Sequence, residues 1–330
     1  MNIPPASSIR VQPEVMHRFT AQLGLAAGLA QAHSDLLAEL LTGNDLRGVF
    51  SHGTQQLATY GRLLRDGVLN SRPQVTVVRE TPVSLLVDGD GGLGYFAAHE
   101  GTLRLIDKVK TSGTGVLVTR NHGHFGAAGL YARMTVAHDL LCFVTSGHQL
   151  RLEPGQPVFT AAGGSPMAFS APTLTEDPLV LDFGAMHDLY EGSPFRDEVA
   201  ARAPGMVHRA IGMGEVCQAW GGLLAGVPID PARARRSFAG ANQGSMVIAF
   251  RIDLFADPVE FKQEMDAYVR AVRTLTPFAD GPGPYLPGGI EAERQRLFSV
   301  DGIPVGPDHR DRLQQIADEL GVRSPWTSQG

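Results

Sequence analysis

The sequence has few cysteines and no long apolar run, and both features narrow the class of protein. Its two cysteines, Cys142 and Cys217, are too few for a disulfide framework and show no metal-ligand spacing. We therefore expect a reducing, cytoplasmic environment. No apolar stretch reaches the roughly 18 residues that a membrane span needs, and the stretch MNIPPASSIR lacks the apolar core of a signal peptide. No membrane partner is expected.

Positive charge is also sparse. The chain has 28 Lys and Arg against 34 Asp and Glu, a net charge of -6. No run of Lys and Arg forms a stripe that could follow a phosphate backbone, so a nucleic-acid partner is not expected. Glycine, by contrast, is abundant, with 39 residues in a chain of 330. This excess favours a loop-rich enzyme over a helical binding module.

Hydrophobic periodicity predicts a helical N-terminal part followed by alternating strands and helices. This order is typical of an α/β fold with a mixed sheet covered by helices. The predicted helices lie at 13–24, 31–42, 54–66, 96–111, 126–138, 258–274, 290–298 and 308–320, and the predicted strands at 74–79, 83–88, 115–120, 140–146, 178–183 and 245–252.

A glycine-rich stretch, VDGDGGLG at 87–94, matches the spacing of a dinucleotide-binding loop between a strand and a helix. Two observations count against that function. Asp88 and Asp90 would repel a phosphate, and the acidic residue that should bind the ribose about 20 residues further on is absent. We therefore interpret the stretch as a glycine turn.

A second stretch, DLRGVFSHG at 45–53, places Arg47, Ser51 and His52 within six residues of one another. The planar guanidinium of arginine can bind a carboxylate through two hydrogen bonds, and histidine exchanges a proton near neutral pH. A structural role is the alternative, because Ser51 or Thr54 could simply cap the following helix.

A third stretch, RNHGHFG at 120–126, holds two histidines on a predicted strand-to-helix loop. Residues two apart in extended chain face the same way, so His122 and His124 could line one wall of a site. A proton-transfer role for at least one of them is the favoured interpretation. The alternative is that neither takes part in the chemistry and that His122 is only a surface residue. Metal binding would need a third ligand, which the sequence does not offer nearby, and no metal is expected.

Taken together, these stretches resemble the type 2 malate/L-lactate dehydrogenase family, whose members reduce 2-oxo acids or cyclic imines with NADH or NADPH. The family pattern R-G-x-x-S-H-G corresponds to Arg47 to Gly53, and N-x-x-H-F-G to Asn121 to Gly126. The resemblance is close over residues 10–150 and weaker over 160–300.

The resemblance implies a fold and an assembly. The fold is α/β but not a Rossmann fold, and active sites are built in homodimers. The expected parts are a helical region at 1–72, a central cofactor-binding domain at 73–255, and a C-terminal helical region at 256–330 that packs on the N-terminal helices.

The resemblance also assigns residues. His124 would be the catalytic proton donor or acceptor, and Arg47 would bind the substrate carboxylate. His52 would lie beside the nicotinamide, where it is the proton donor in some members, and with Ser51 it would help to polarise the carbonyl. His122 replaces a small residue of the family, and we place it at the substrate. The expected cofactor-binding residues are Asn121, Ser165, Pro166, Asp182, Phe183, Gly184 and Gly212.

The sequence departs from the family mainly in this cofactor-binding half. Asp182 is kept, but the Thr-Ser that usually follows closely is lost. Only about 25 residues then separate it from IGMG at 211–214, which corresponds to the family's K-G-x-G helix start. Ile211 replaces the lysine of that motif, Ser165 replaces an asparagine, and Gln56 stands where an arginine is common.

Two classes of function therefore remain open. The first is reduction of a small 2-oxo or cyclic imino acid by NADH or NADPH. The second is non-redox acid-base chemistry beside a substrate carboxylate, as in a lyase, decarboxylase or isomerase, which the shortened cofactor segment motivates. A catalytically inactive interaction protein is the least favoured alternative, because the loops that would decay first are intact.

Overall fold

The computed structural model describes residues 3–277 and 283–326, and the chain divides into two compact units. Unit 1 consists of Met1–Pro73 and Leu275–Gly330, and unit 2 is Gln74–Thr274. The expected boundary at residue 256 differs from this division, because the helix that follows it belongs to unit 2. The chain returns to the N-terminal helices only at Leu275.

Unit 1 is built mainly from helices, together with one short antiparallel pair of strands. The pair joins Ile9 to Val305 and Val11 to Ile303. In chain order, the elements of this unit are β1 (Ile9–Val11), α1 (Pro13–Ala26), α2 (Gln31–Leu46), α3 (Leu57–Arg65), α9 (Gly289–Asp301), β9 (Ile303–Val305) and α10 (Pro307–Leu320).

The three predicted N-terminal helices form, and each buries apolar residues of its predicted stripe. In α3, the side chains of Leu57, Tyr60 and Leu64 are all less than 5% exposed, as their helical spacing predicts. The helix begins at Leu57 rather than at 54, because two 3₁₀ turns, Phe50–His52 and Thr54–Gln56, precede it.

Unit 2 is a mixed sheet with helices, as the alternating pattern predicts. The elements in chain order are β2 (Thr76–Thr81), β3 (Ser84–Asp88), α4 (Gly94–Ser112), β4 (Thr114–His122), α5 (Gly129–Val136), β5 (Leu140–His148), β6 (Pro166–Ala171), β7 (Leu179–Gly184), α6 (Arg196–Arg202), α7 (Pro204–Cys217), β8 (Gln243–Arg251) and α8 (Pro258–Val272).

The strand order is β2-β3-β4-β8-β5-β6-β7, and every neighbouring pair is antiparallel except β3 with β4. These directions bring the last residues of β3, β4, β5 and β7 to the same edge as the first residues of β6 and β8. We call it the His122 edge, and it contains Asp88, His122, His148, Pro166 and Gly184. The sheet therefore gathers loops that are far apart in sequence.

In the part of the chain that the structure describes, no helix is both long enough and apolar enough to cross a membrane.

Candidate active site

In unit 1, the Arg47 loop begins where α2 ends. The Nη1 atom of Arg47 donates to the backbone oxygen of Gly43 at 2.9 Å, which holds the half-buried side chain along its own helix. Ser51 is exposed, and its Oγ lies 3.0 Å from Nδ1 of the half-buried His52. The serine thus helps to orient the imidazole, and no side-chain cap forms at either of the turns that precede α3. The capping alternative for Ser51 and Thr54 is not observed.

The buried carboxyl group of Asp45 holds the backbone of this loop in place. Asp45 is fully buried, and its Oδ2 accepts hydrogen bonds from the backbone N–H of Thr54 at 3.1 Å and from the Thr54 hydroxyl at 2.5 Å. Burial raises the pKa of Asp45 to about 7. A Cβ on Gly53 would come within 1.7 Å of Oδ1 of this carboxylate, so only glycine fits there. Asp45 therefore fixes the backbone that follows His52.

The same network reaches α10. The Thr54 hydroxyl lies 2.9 Å from Nε2 of His309, and burial lowers the pKa of His309 to about 4. The sequence singled out this loop for Arg47, Ser51 and His52, but it gave no sign of Asp45 or His309. The contact that links them joins Thr54 to His309, 255 residues apart, and each residue alone looks like an ordinary polar side chain.

In unit 2, His122 is not placed as the sequence predicted. Its side chain is fully buried at the end of β4, and burial lowers its pKa to about 4. Nδ1 lies 2.7 Å from the backbone oxygen of Gly123, and Nε2 lies 2.7 Å from the hydroxyl of Thr119. Since a carbonyl can only accept, Nδ1 carries the proton and Nε2 accepts from Thr119. Both ring nitrogens are thus engaged inside the protein, and the ring does not line a substrate wall.

The reason is a backbone irregularity that separates the two histidines. Asn121 has a left-handed φ of 53°, and the pairing of β4 with β8 shifts register between Thr119 and His122. The alternation that would put His122 and His124 on one wall is therefore interrupted. His124 instead lies half-buried in the loop that leads to α5, which begins at Gly129 rather than near 126.

Aromatic packing holds the His124 loop in place. The rings of Phe125 and Tyr131 stack with centroids 5.3 Å apart, and the Tyr131 hydroxyl donates to the backbone oxygen of Phe125. Gly126 has a φ of 85°, and a Cβ there would lie 2.5 Å from the ring of Tyr95. The loop therefore holds the half-buried imidazole of His124 on a rigid support.

The glycine-rich stretch supports the same loop instead of binding a phosphate. The backbone amides of Gly89, Gly91 and Gly94 donate to the backbone oxygens of Arg120, Asn121 and His124, each at 2.9 Å. An amide used in this way cannot bind a pyrophosphate. The interpretation of VDGDGGLG as a glycine turn is confirmed.

Most of the expected cofactor-binding residues meet on β6 and β7 at the His122 edge. Pro166 pairs with Gly184 and Met167 with Phe183, while Asp182 is exposed one pair further in. Ser165 adopts a left-handed φ of 47° just before β6, and its Oγ accepts from the backbone N–H of Met186 at 3.0 Å. Ser165 thus ties the start of β6 to the end of β7.

Gly212 does not occupy the expected helix start. The helix α7 begins at Pro204, so IGMG lies in its second half, where the backbone amides are not presented to a ligand. Ile211, in place of the family lysine, is buried in an apolar cluster with Ala162, Met186 and Leu189. The helix starts earlier because Pro204 is well suited to its first turn.

The structure adds one polar residue that the sequence did not indicate. Gln218 is buried just beyond α7, and its Oε1 accepts from the backbone N–H of His148 at 3.1 Å. Its Nε2 has no hydrogen-bond partner in the part of the chain that the structure describes, and it lies beside Gly163, where a Cβ would come within 1.9 Å of it. This donor is therefore available beside the loop that leads into β6.

Within residues 3–277 and 283–326, no three His, Cys, Asp or Glu side chains lie close enough together to hold a metal ion.

The chain belongs to the malate/L-lactate dehydrogenase family, whose sequence profile matches residues 11–186. The protein is accordingly an oxidoreductase. Among its relatives, an L-sulfolactate dehydrogenase of Methanocaldococcus jannaschii is 25% identical, over 89% of this chain and 92% of the relative. A ureidoglycolate dehydrogenase (NAD(+)) of Escherichia coli O157:H7 is 23% identical, over 94% of this chain and 96% of the relative.

Solved structures show the same fold. The malate dehydrogenase of Pyrococcus horikoshii superposes with a TM-score of 0.84 at 23% identity, covering 98% of this chain and 99% of the other. A Δ1-piperideine-2-carboxylate reductase from Pseudomonas syringae superposes with a TM-score of 0.73 at 19% identity, over 94% and 100% of the two chains. The predicted α/β fold of this family is confirmed.

Burial of His122 predicts a specific pH dependence of stability. Its pKa is about 4 in the folded protein against an ordinary 6.5, so between these values the unfolded chain binds a proton that the folded protein excludes. The free energy of unfolding should therefore fall as the pH drops from 6.5 towards 4. In His122→Asn this fall should be smaller, which urea unfolding at a series of pH values measures. The exposed His138, changed to Asn, is the control. Equal slopes in all three proteins would contradict the prediction.

Proposed function

We propose that the protein is a reductase that transfers a hydride from NADH or NADPH to a small 2-oxo acid or cyclic imino acid. The observation that carries the proposal is the contrast between the two histidines of one loop. Both nitrogens of His122 are hydrogen-bonded inside the protein, whereas His124 is half-exposed on a rigid loop. His124 is therefore the imidazole suited to give a proton to a substrate.

The residues at the His122 edge of the sheet fit a nicotinamide cofactor in part. The buried Nε2 of Gln218 is an N–H donor that lacks an acceptor among the described residues, as expected where a cofactor oxygen would bind. Ser165, Pro166, Phe183 and Gly184 would hold the cofactor beside it, and Asp182 would extend the site. Asn121 instead lies at the end of β4, and its Nδ2 donates to Asp88. Gly212 and Ile211 do not fit, because they lie inside α7 and its apolar cluster. When bound, the cofactor would supply the hydride.

Each remaining residue has a role that follows from its chemistry. Arg47 would bind the substrate carboxylate, since its planar guanidinium can hold both oxygens of a carboxylate at once. His52, oriented by Ser51, would polarise the carbonyl or imine. His124 would supply the proton as charge develops on the reduced oxygen or nitrogen.

The non-redox alternative has no comparable support. It rested on the shortened cofactor segment, but the relatives are named as dehydrogenases and a reductase. One of those names specifies NAD(+). No feature of the described residues favours a lyase, decarboxylase or isomerase over a reductase, so we retain the redox proposal.

The proposal predicts that His124→Ala loses about 10²- to 10⁴-fold in turnover, the usual contribution of a general acid. Its stability should change little, because the ring is half-exposed. Consumption of NADH and NADPH with a panel of 2-oxo and cyclic imino acids measures the activity.

The matched variant is His122→Ser, which should lower the free energy of unfolding, because the ring is buried, but should affect turnover less. Full activity in His124→Ala would remove this histidine from the mechanism. Failure of the wild-type protein to bind either NADH or NADPH would end the reductase proposal.

A second prediction concerns the substrate carboxylate. Arg47→Lys keeps the charge but loses the two-pronged hydrogen bonding. It should raise the KM for the substrate far more than the dissociation constant for the cofactor. Steady-state kinetics and titration of cofactor fluorescence measure the two quantities, with the exposed Arg18→Lys on α1 as control. An unchanged KM would show that Arg47 does not bind the substrate.

We further propose that the protein is a homodimer, as the family resemblance implies. An apolar stripe on α7 and the turn after it supports an interface between copies, because Met213, Val216, Trp220, Leu223 and Leu224 recur every one to four residues and are each 39 to 61% exposed. Monomers rarely expose a continuous apolar patch of this kind.

Light scattering should therefore give a dimer, or a multiple of one, at micromolar concentration. Val216→Glu should shift the protein towards the monomer, whereas Leu103→Glu, an equally exposed change on α4, should not. A fully active wild-type monomer would contradict the proposal.

A further inference from the structure

A cavity opens at the His122 edge, and we call it the arginine-lined cavity. Its volume is about 360 Å³. The sheet contributes Asp88, Arg120 and Asn121 to one wall, and the segment between α7 and β8 contributes residues 225–228, 233–236 and 241–242 to the other. A cavity of this size suits a small molecule.

The cavity has an excess of positive charge. Four arginines line it, at positions 120, 233, 235 and 236, against one carboxylate, that of Asp88. This carboxylate already accepts hydrogen bonds from Nε of Arg120 at 2.9 Å and from Nδ2 of Asn121 at 2.8 Å. The charge of Arg120 is therefore balanced within the protein.

The other three arginines have no acidic partner among the described residues. Arg236 donates a long hydrogen bond of 3.4 Å to Oε1 of Gln149, a neutral group, and Arg233 and Arg235 are exposed. Three like charges on one short segment repel each other. An anion bound between them would remove this repulsion and accept their N–H donors.

The arginine segment is nevertheless held in place without a ligand. The ring of Phe238 packs against Gly91, where a Cβ would come within 2.3 Å of it. Gln149 ties both ends of the segment, because its backbone N–H donates to the oxygen of Asn242 at 2.8 Å and its side chain donates to the oxygen of Pro228. A ligand would meet a largely preformed site, which lowers the entropic cost of binding.

We propose that this cavity binds a small molecule that carries at least two oxyanion groups, carboxylate or phosphate, and that it is separate from the proposed cofactor residues on β6 and β7. Arg233, Arg235 and Arg236 bind the anion, and Arg120 is oriented towards it by Asp88. The cavity lies at β4, whereas Ser165 precedes β6, three strand spacings away, or about 14 Å. The inference does not depend on the reductase proposal.

The test is calorimetric titration of the full chain with pyrophosphate and, separately, with citrate, which distinguishes a phosphate from a carboxylate ligand. At least one should bind, with an affinity that falls as salt is added. Arg235→Gln and Arg236→Gln should each weaken binding roughly tenfold to a hundredfold, the usual effect of losing a hydrogen bond to a charged group. The exposed Arg79→Gln on β2 makes the same charge change elsewhere and should bind as the wild type does.

Three results would overturn the proposal: no binding of either probe to the wild-type protein, equal weakening in Arg79→Gln, or loss of anion binding when NADH or NADPH saturates the protein. The last result would place the anion in the nicotinamide site. Because binding of the two probes is measured directly, failure of the reductase proposal would leave the first two outcomes unchanged.

Discussion

The end of strand β4 depends on one set of backbone hydrogen bonds. The amides of the glycine turn at 89–94 donate to the backbone of residues 120, 121 and 124, and so clamp the chain where it leaves the sheet. This clamp holds Asn121 in its left-handed conformation, seats His122 in the interior and leaves His124 at the surface of the loop. It also fixes the wall of Asp88 and Arg120 in the arginine-lined cavity. The position of His124 and one wall of the arginine-lined cavity therefore both depend on the glycine turn at 89–94.

In unit 1, a buried side chain rather than a set of backbone hydrogen bonds fixes the functional loop. Its loop is fixed by a buried carboxylate, that of Asp45, which binds Thr54 and leaves no room for a side chain at Gly53. In each unit, glycine residues allow two segments of the chain to approach closely. A buried polar side chain then fills the space beside them. This arrangement explains how an enzyme with so much glycine can hold its functional loops rigid.

Much of the fold was predictable because it follows from local periodicity. The stripes of α1 to α3, and the apolar runs of β3, β4, β5 and β8, are signals that the sequence contains by itself. The three-residue strands β1 and β9 are too short to show a pattern, and β6 begins with a proline and has no clear alternation. Pro204 indicates the early start of α7, because proline is favoured in the first turn of a helix. The IGMG motif instead predicted a helix start at 211–214.

The candidate site was predictable only as far as its residue types. Arg47, Ser51, His52 and His124 were found from their chemistry and their loop positions. His122 was misplaced because one left-handed residue reverses the direction of the next side chain, and nothing in the local sequence requires asparagine to adopt that conformation. The roles proposed for Gln218 and for the arginines of the arginine-lined cavity depend on residues that the sheet order brings close to them. Local sequence patterns do not specify that order.

The burial of Ile211 makes the loss of the family lysine hard to reverse. This side chain is surrounded by Ala162, Met186, Leu189, Val207 and Ala210. A lysine restored there would place an ammonium group among apolar side chains without a counter-charge, at a cost on the order of several kcal/mol. A single substitution would therefore not give a lysine that can reach a ligand from position 211. Position 211 is consequently closed to a charged side chain, whichever ligand binds at the His122 edge.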